Sequence, residues 1–192
     1  AAVLYVSFLL LAVRVHAANF NAAAGSAVAG QIAQANALLY RYRETARTEF
    51  LSQAQAAVSA ALASAPADYL AQRTAVAVLL ATHVDHDLLA RVTELNRRFP
   101  DDVDTYALLI DAELALGRYA QAEQHTQRLL DLRPDNLPGL IRTAHLRELY
   151  GDWQGAIDCL NASLNRVTAD DAELRARLYT QLARLHFGAG HS

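Results

Sequence analysis

Apolar side chains recur at intervals of three and four residues over much of the chain, which is the spacing of one face of an α-helix. The segment 51–62 shows this spacing in Leu51, Ala54, Val58, Ala61 and Leu62. The segment 88–95 shows it in Leu88, Val92 and Leu95. Because such a face covers only one side of a helix, we expect a series of amphipathic helices that bury their apolar faces against one another.

Proline and a helix-capping residue interrupt the pattern at a constant interval of 34 residues. The prolines are Pro66, Pro100 and Pro134, and the capping residues two positions later are Asp68, Asp102 and Asn136. Proline lacks an amide hydrogen and ends a helix, whereas Asp and Asn accept hydrogen bonds from the first free amides of the next helix. We therefore predict helix boundaries at 66–68, 100–102 and 134–136.

One further step of the same interval reaches Thr168 and Asp170, although the proline is absent there. Asp170 and Glu173 have the spacing of a capping box, in which two side chains bond the free amides at a helix start. The sequence therefore predicts a fourth boundary at 168–170, with Asp170 as its cap.

A second break falls halfway through two of the 34-residue units. It consists of a glycine, an aromatic residue two positions later and an alanine five positions later. The two sets are Gly117, Tyr119 and Ala122, and Gly151, Trp153 and Ala156. Glycine permits the left-handed backbone that ends many helices, and alanine permits close helix packing. We expect two helices per unit, joined at the glycine, with the aromatic ring closing the end of the core.

The segment 103–170 resembles two tetratricopeptide repeats. In the first, the matching residues are Tyr106, Leu109, Gly117, Tyr119, Ala122, Leu129 and Pro134. In the second, they are Leu140, Ala144, Gly151, Trp153, Ala156 and Leu160. The resemblance implies an all-α fold, a solenoid of antiparallel helix hairpins wound into a right-handed superhelix.

The interval divides 35–192 into units 35–68, 69–102, 103–136 and 137–170 and a partial unit 171–192. The unit 69–102 departs from the pattern because His83 replaces the turn glycine and Asp85 replaces the aromatic residue. The unit 35–68 has polar residues in its first half where apolar residues belong, namely Arg41, Tyr42 and Thr45. We interpret it as either a divergent repeat or one longer helix.

The partial unit 171–192 has the pattern of a first helix, displaced by five residues, in Tyr179, Leu182, Ala183, His186, Phe187 and Gly190. It is either a capping helix or part of a longer array. Its apolar residues and the absence of any methionine in the chain favour a fragment of a longer protein.

The segment 1–17 differs from the rest of the chain. Residues 1–13 form an almost unbroken apolar run, followed by Arg14 and by small residues typical of a signal-peptidase site. This segment is a signal peptide, a truncated membrane anchor or a buried helix, and the residues leave all three open. Residues 18–34 form an alanine-rich segment, either a flexible lead or a juxtamembrane helix. A signal or anchor predicts an exported bacterial protein, periplasmic or membrane-anchored on the periplasmic side.

Composition excludes some partners. The formal net charge is −3 and the basic residues do not form a cluster, so neither nucleic acid nor an acidic membrane surface is favoured as a partner. The single cysteine, Cys159, cannot form an internal disulfide and is expected to be a packed core residue.

No motif in the chain indicates catalysis, and we expect neither enzymatic activity nor a cofactor. The stretch 83–87, His-Val-Asp-His-Asp, has side chains that bind metals. Its position at a predicted turn favours capping and solvation instead, so we expect no metal site. The other histidines considered, His125, His145 and His186, have no matching partners in the sequence.

The resemblance to tetratricopeptide repeats also implies a groove lined by the first helix of each hairpin. The charged residues at the groove-facing offsets are Arg73, Asp104, Asp111, Arg142, His145, Glu148, Arg177 and Arg184. We expect a protein-interaction scaffold that holds a peptide or protein partner there and helps to assemble an envelope complex. The alternative is the repeat region of a larger enzyme, such as a glycosyltransferase or peptidase, with its catalytic domain elsewhere.

Overall fold

The computed structural model describes residues 25–82, 86–168 and 170–189. Regular structure in these ranges is entirely helical, with no strand, which confirms the all-α prediction for this part of the chain. Nine helices are seen there: α1 25–45, α2 Thr48–Ser64, α3 Tyr69–Thr82, α4 His86–Arg98, α5 Val103–Ala115, α6 Tyr119–Leu132, α7 Leu137–Leu149, α8 Trp153–Leu164 and α9 Ala172–Ala189. They belong to two compact units, Ala1–His83 with α1 to α3 and Val84–Ser192 with α4 to α9.

In the first unit, α1 and α2 are separate helices rather than one long helix. The break lies at Ala46, whose φ of 54° is in the left-handed region, and at Arg47. Leu39, Leu51 and Val78, from α1, α2 and α3, share one buried cluster. The first unit is therefore a three-helix packing arrangement with a helix hairpin at its start.

Part of the alanine-rich lead belongs to this packing. Residues 25–34 form the first half of α1. Val28 and Ile32 are buried there in a cluster with Ala61 of α2 and Ala71 of α3. Residues 25–34 of the lead are therefore helical, and they contribute to the core.

In the second unit, each helix from α4 to α9 packs against the next one, and α5 also packs against α7. One buried cluster joins Tyr106 and Ile110 of α5 to Ala122 and Leu129 of α6 and to Leu146 of α7. Another joins Ala144 of α7, Ala156, Ile157 and Leu160 of α8, and Leu178, Leu182 and Leu185 of α9. Ala122 and Ala156 are fully buried, as the close packing of each hairpin requires.

Three of the predicted caps are confirmed. Asp68 accepts a hydrogen bond from the Ala71 amide (2.8 Å), Asp102 from that of Thr105 (2.7 Å) and Asn136 from that of Gly139 (2.8 Å). In each case the side chain satisfies an amide that the helix itself leaves free. The 34-residue interval therefore locates the starts of α3, α5 and α7.

The predicted cap at the fourth boundary is wrong. The cap of α9 is Asp171, whose carboxylate accepts from the Leu174 amide at 3.0 Å, rather than Asp170. A capping side chain has to stand directly before the first helical residue, and α9 begins at Ala172. The repeat interval fails here because the chain between α8 and α9 is longer than the connections between the earlier units.

The two predicted glycine turns are confirmed. Gly117 and Gly151 have φ values of 72° and 80°, which is the left-handed backbone that glycine adopts most easily. The next amides, of Arg118 and Asp152, bond back to the carbonyls of Glu113 and Arg147, both at 2.8 Å. Each turn is a Schellman motif, which ends one helix and reverses the chain into the next.

The aromatic residues after these turns border the core rather than close it. Tyr119 is 43% exposed and Trp153 is 39% exposed. This difference from the expectation leaves part of each ring available to another molecule.

Within the described residues, no helix has both the length and the apolar character needed to cross a bilayer. The apolar run 1–13 lies outside these residues, and its three interpretations stay predictions.

Candidate interaction surface

Arg142 of α7 reaches across to α5. Its guanidinium Nη2 lies 2.5 Å from Oδ2 of Asp111, and its Nε donates to the carbonyl of Ala107 at 3.1 Å. The third contact, to the carbonyl of Pro138 at 3.0 Å, is within α7. Only 15% of the Arg142 side chain is exposed. Arg142 therefore links α5 and α7, which are the first helices of two successive hairpins. Little of its side chain is left exposed for a partner.

Glu148 of α7 makes the corresponding contact with α9. Its carboxylate accepts two hydrogen bonds from Arg184, at 2.5 and 2.7 Å, in a bidentate pair. The hydrogen bond to Glu148 raises the pKa of Arg184. Nδ1 of His145 is 4.0 Å from the same carboxylate. The structure thus brings together five of the predicted groove residues, Asp111, Arg142, His145, Glu148 and Arg184, and pairs four of them with each other.

The remaining predicted groove residues have other neighbours. Arg177 approaches Glu173 of its own helix at 3.8 Å. Arg73 belongs to the first unit, where its guanidinium lies 5.6 Å from the Tyr69 ring centroid. Asp104 lies at the start of α5 and lines a different cavity, of about 360 Å³, with Asp101, Asp102, Val103, Arg133, Asn136 and Pro138. The residues of the second unit therefore form two surfaces rather than one continuous row of charges.

A second cavity, of about 300 Å³, opens next to the Asp111–Arg142 pair. It is lined by Asp111, Leu114, Ala115, Tyr119, His145 and Leu149, and we call it the α5–α7 cavity. Leu149 is 45% exposed, close to the 43% of Tyr119. The volume of the α5–α7 cavity is at the low end of the range for pockets that hold ligands. The cavity combines apolar side chains with a carboxylate, an imidazole and a phenol.

A hydrogen-bonded pair in the second unit, with a buried carboxylate and a half-buried imidazole, was not predicted from the sequence. Glu113 of α5 is only 4% exposed, and both of its carboxylate oxygens lie 2.9 Å from Nδ1 of His125 in α6. The hydrogen bond to Glu113 raises the pKa of His125, and burial partly opposes that rise. The expectation that His125 has no partner is therefore wrong.

No repeat signal could have revealed this pair, because the positions 34 residues later hold Arg147 and Cys159. Cys159 is half-buried, as expected for a packed residue, and burial raises the pKa of its thiol. The only clue in the sequence is the predicted turn at Gly117. Because this turn makes α5 and α6 antiparallel neighbours, it allows a residue of α5 to contact one of α6.

Across residues 25–82, 86–168 and 170–189, no group of three or more His, Cys, Asp or Glu side chains could hold a metal ion. The metal-like stretch 83–87 is described only from His86 onward, so its first three residues lie outside these ranges.

No protein-family model and no curated protein matches the chain. Solved structures do match its fold. TTC0263, a thermophilic tetratricopeptide repeat protein of Thermus thermophilus, has a TM-score of 0.64 and 20% identity, over 81% of this chain and 83% of that one. Cut9 in the APC/C Cut9–Hcn1 hetero-tetramer has a TM-score of 0.57 and 18% identity, over 73% of this chain and 26% of that one.

A mutant of MamA is also similar, with a TM-score of 0.54 and 17% identity, over 89% of this chain and 94% of that one. All three identities are low, so the likeness concerns the fold. The predicted fold class is confirmed: this is an all-α protein of helix hairpins with a tetratricopeptide-like fold.

Proposed function

We propose that this protein is a binding scaffold without catalytic activity, and that its second unit captures a peptide or protein segment at the α5–α7 cavity. The observation that supports this most is the exposure of Tyr119 and Leu149 at its edge. Large apolar side chains at such an opening lose contact with water when a partner covers them, which favours binding.

The lining indicates what the partner presents. Leu114, Ala115 and Leu149 favour an apolar side chain inserted into the cavity. His145 and Tyr119 can hydrogen-bond the backbone of the segment that carries this side chain. We therefore propose a partner segment with one apolar anchor residue, held in place by polar contacts at the rim.

The charges of the surface have a different role in this proposal. Arg142 is 15% exposed and bonded to Asp111, so a partner would have to break an internal ion pair to use it. Reversal of Arg142 would therefore disturb the contact between α5 and α7 as well as any binding. A test of binding has to change the cavity and leave the ion pairs intact.

The test is affinity capture with the full 192-residue chain, comparing wild type with the variant Leu149→Lys. A charged side chain at the cavity edge should prevent insertion of an apolar residue, so partners retained by the wild type should be lost. Leu70→Lys is the matched control, because Leu70 is 47% exposed and lies in the first unit. Circular dichroism and thermal melting verify that both variants fold.

Partners retained equally by the wild type and Leu149→Lys would show that the cavity is not the binding surface. Partners lost equally in both variants would show that the effect is not specific to the second unit. Only loss in Leu149→Lys with retention in Leu70→Lys agrees with the proposal.

We also propose an exported or membrane-anchored location facing the periplasm, and a role in assembling an envelope complex. Only the apolar run 1–13 and the residues after it support this part of the proposal. Cell fractionation of the native protein tests it, and recovery in the cytosol with residues 1–17 retained would contradict it.

A further inference from the structure

The two carboxylate oxygens of Asp111 have different surroundings. Oδ2 lies 2.5 Å from Nη2 of Arg142, whereas Oδ1 accepts no hydrogen bond from any residue that the structure describes. The Asp111 side chain is 35% exposed and lines the α5–α7 cavity. A hydrogen-bond acceptor is therefore available at the wall of this cavity.

Arg142 fixes the orientation of this carboxylate. Its guanidinium group donates to the carbonyls of Ala107 and Pro138, at 3.1 and 3.0 Å, and is thereby held in place. An acceptor held in one orientation binds a donor with a smaller loss of conformational entropy than a mobile acceptor does. Oδ1 of Asp111 is therefore suited to select ligands that place a donor at this wall.

The charge of Asp111 does not favour a cationic ligand, because the guanidinium of Arg142 already balances it. The rest of the lining is largely apolar and includes Leu114, Ala115 and Leu149. A lysine or arginine side chain would lose its water there without meeting an uncompensated negative charge. A neutral donor does not carry this cost.

The lining also favours an aromatic ring. Tyr119 stands at the edge of the cavity with 43% of its surface exposed, so a ring that enters can pack against it. Tryptophan and tyrosine combine an apolar ring with a donor at its edge, an N–H or an O–H group. Phenylalanine and leucine have the apolar body without the donor. The cavity therefore has the complement of an aromatic donor side chain.

We propose that the α5–α7 cavity selects an aromatic anchor residue with a hydrogen-bond donor, tryptophan or tyrosine, and that this donor bonds Oδ1 of Asp111. The inference rests on the proposed function, since it names the side chain that the captured segment inserts. A hydrogen bond to a charged group should raise the affinity roughly tenfold or more.

The test compares peptides that differ only in the donor of the anchor. The full 192-residue chain is offered short peptides with randomised flanks and one fixed central residue. Tryptophan is compared with benzothienylalanine, in which sulfur replaces the N–H group, and tyrosine is compared with phenylalanine. The donor of each pair should bind about tenfold more tightly than its isostere. A lysine peptide should bind no more tightly than the phenylalanine peptide.

Variants of the protein identify the acceptor. Asp111→Asn removes the charge of the acceptor and should reduce the preference for the donor. Tyr119→Phe and His145→Gln change the other polar side chains of the cavity and should keep that preference. The preference is a ratio of two affinities for the same variant, so a loss of stability that affects both peptides equally cancels. Circular dichroism verifies that each variant folds.

The outcomes separate this inference from the proposed function. Equal binding within both peptide pairs, tightest binding of the lysine peptide, or a preference that Asp111→Asn leaves unchanged would overturn this inference alone. Loss of the preference in Tyr119→Phe or His145→Gln would overturn it too, by giving the donor another partner. If the wild type binds no peptide, or if Leu149→Lys binds all of them as the wild type does, the proposed function is overturned as well.

Discussion

The Glu113–His125 pair should make the stability of the second unit depend on pH near neutrality. The pKa of His125 is raised above its ordinary value of 6.5, chiefly by its hydrogen bond to Glu113. A histidine whose pKa is higher in the folded state binds its proton more tightly there than in the unfolded state. The resulting stabilisation is complete below pH 6.5 and is lost as the pH rises through the pKa of folded His125.

The magnitude follows from the burial of the two partners. Glu113 is almost fully buried, so replacing His125 by alanine leaves a carboxylate that has lost its hydrogen-bond partner. Removing one partner of a charged hydrogen bond costs about 1.5 to 3 kcal/mol. The His125 side chain is 36% exposed, and water screens part of the interaction, so we expect about 2 kcal/mol at pH 6. At pH 8.5, well above the ordinary pKa of 6.5, less of this stabilisation should remain.

The assay is urea unfolding of the wild type, His125→Ala and Glu113→Gln at pH 6.0 and 8.5, with NMR titration of the His125 ring. His145→Gln is the control, because the nearest carboxylate oxygen is 4.0 Å from its ring nitrogen. The cost of His125→Ala should be larger at pH 6.0, and Glu113→Gln should lower the titration midpoint of His125. A cost that is equal at both pH values, or a midpoint that Glu113→Gln leaves unchanged, would refute the reasoning.

Two further predictions concern the backbone turn of the first unit and the hairpin packing of the second. Ala46→Gly should stabilise the chain by about 1 kcal/mol, because Ala46 adopts a left-handed conformation at the end of α1. The control Ala56→Gly, in the exposed middle of α2, should instead cost about 1 kcal/mol. Thermal melting measures both, and equal effects would contradict the turn assignment. Ala122→Leu should cost about 1 to 3 kcal/mol by overpacking a fully buried position, whereas Ala120→Leu, on the exposed side of α6, should change the free energy of unfolding little. Equal urea midpoints for these two variants would contradict the packing.

The helix boundaries and turns could be predicted because their causes are local. A proline, a capping carboxylate and a left-handed glycine each act on amides within a few residues, so the sequence carries the whole explanation. Asp102 and Gly117 are examples, and both do in the structure what their residue types require. The cap at Asp171 was missed because the longer connection between α8 and α9 shifts this local signal away from the repeat interval.

The ion pairs of the surface could not be predicted, because they depend on how one hairpin lies against the next. Asp111 and Arg142 are 31 residues apart and Glu148 and Arg184 are 36 apart, so neither pair follows the 34-residue interval. Their separations depend on helix register and side-chain length, which the repeat pattern does not contain. The resemblance to tetratricopeptide repeats did indicate the correct helices, but not that their charges would bind each other.

This internal pairing of charges bears on the kind of partner that we propose for the α5–α7 cavity. A groove of free charges would select partners by their opposite charge, and binding would weaken with salt. Here Arg142 is largely buried and Glu148 is held by Arg184, so the strongest charges stabilise the arrangement of α5, α7 and α9. What remains exposed is a small cavity with Leu149 and Tyr119 at its edge. Under the proposed function, we therefore expect recognition to depend on the shape of an apolar anchor, with the ion pairs keeping the cavity in a fixed form.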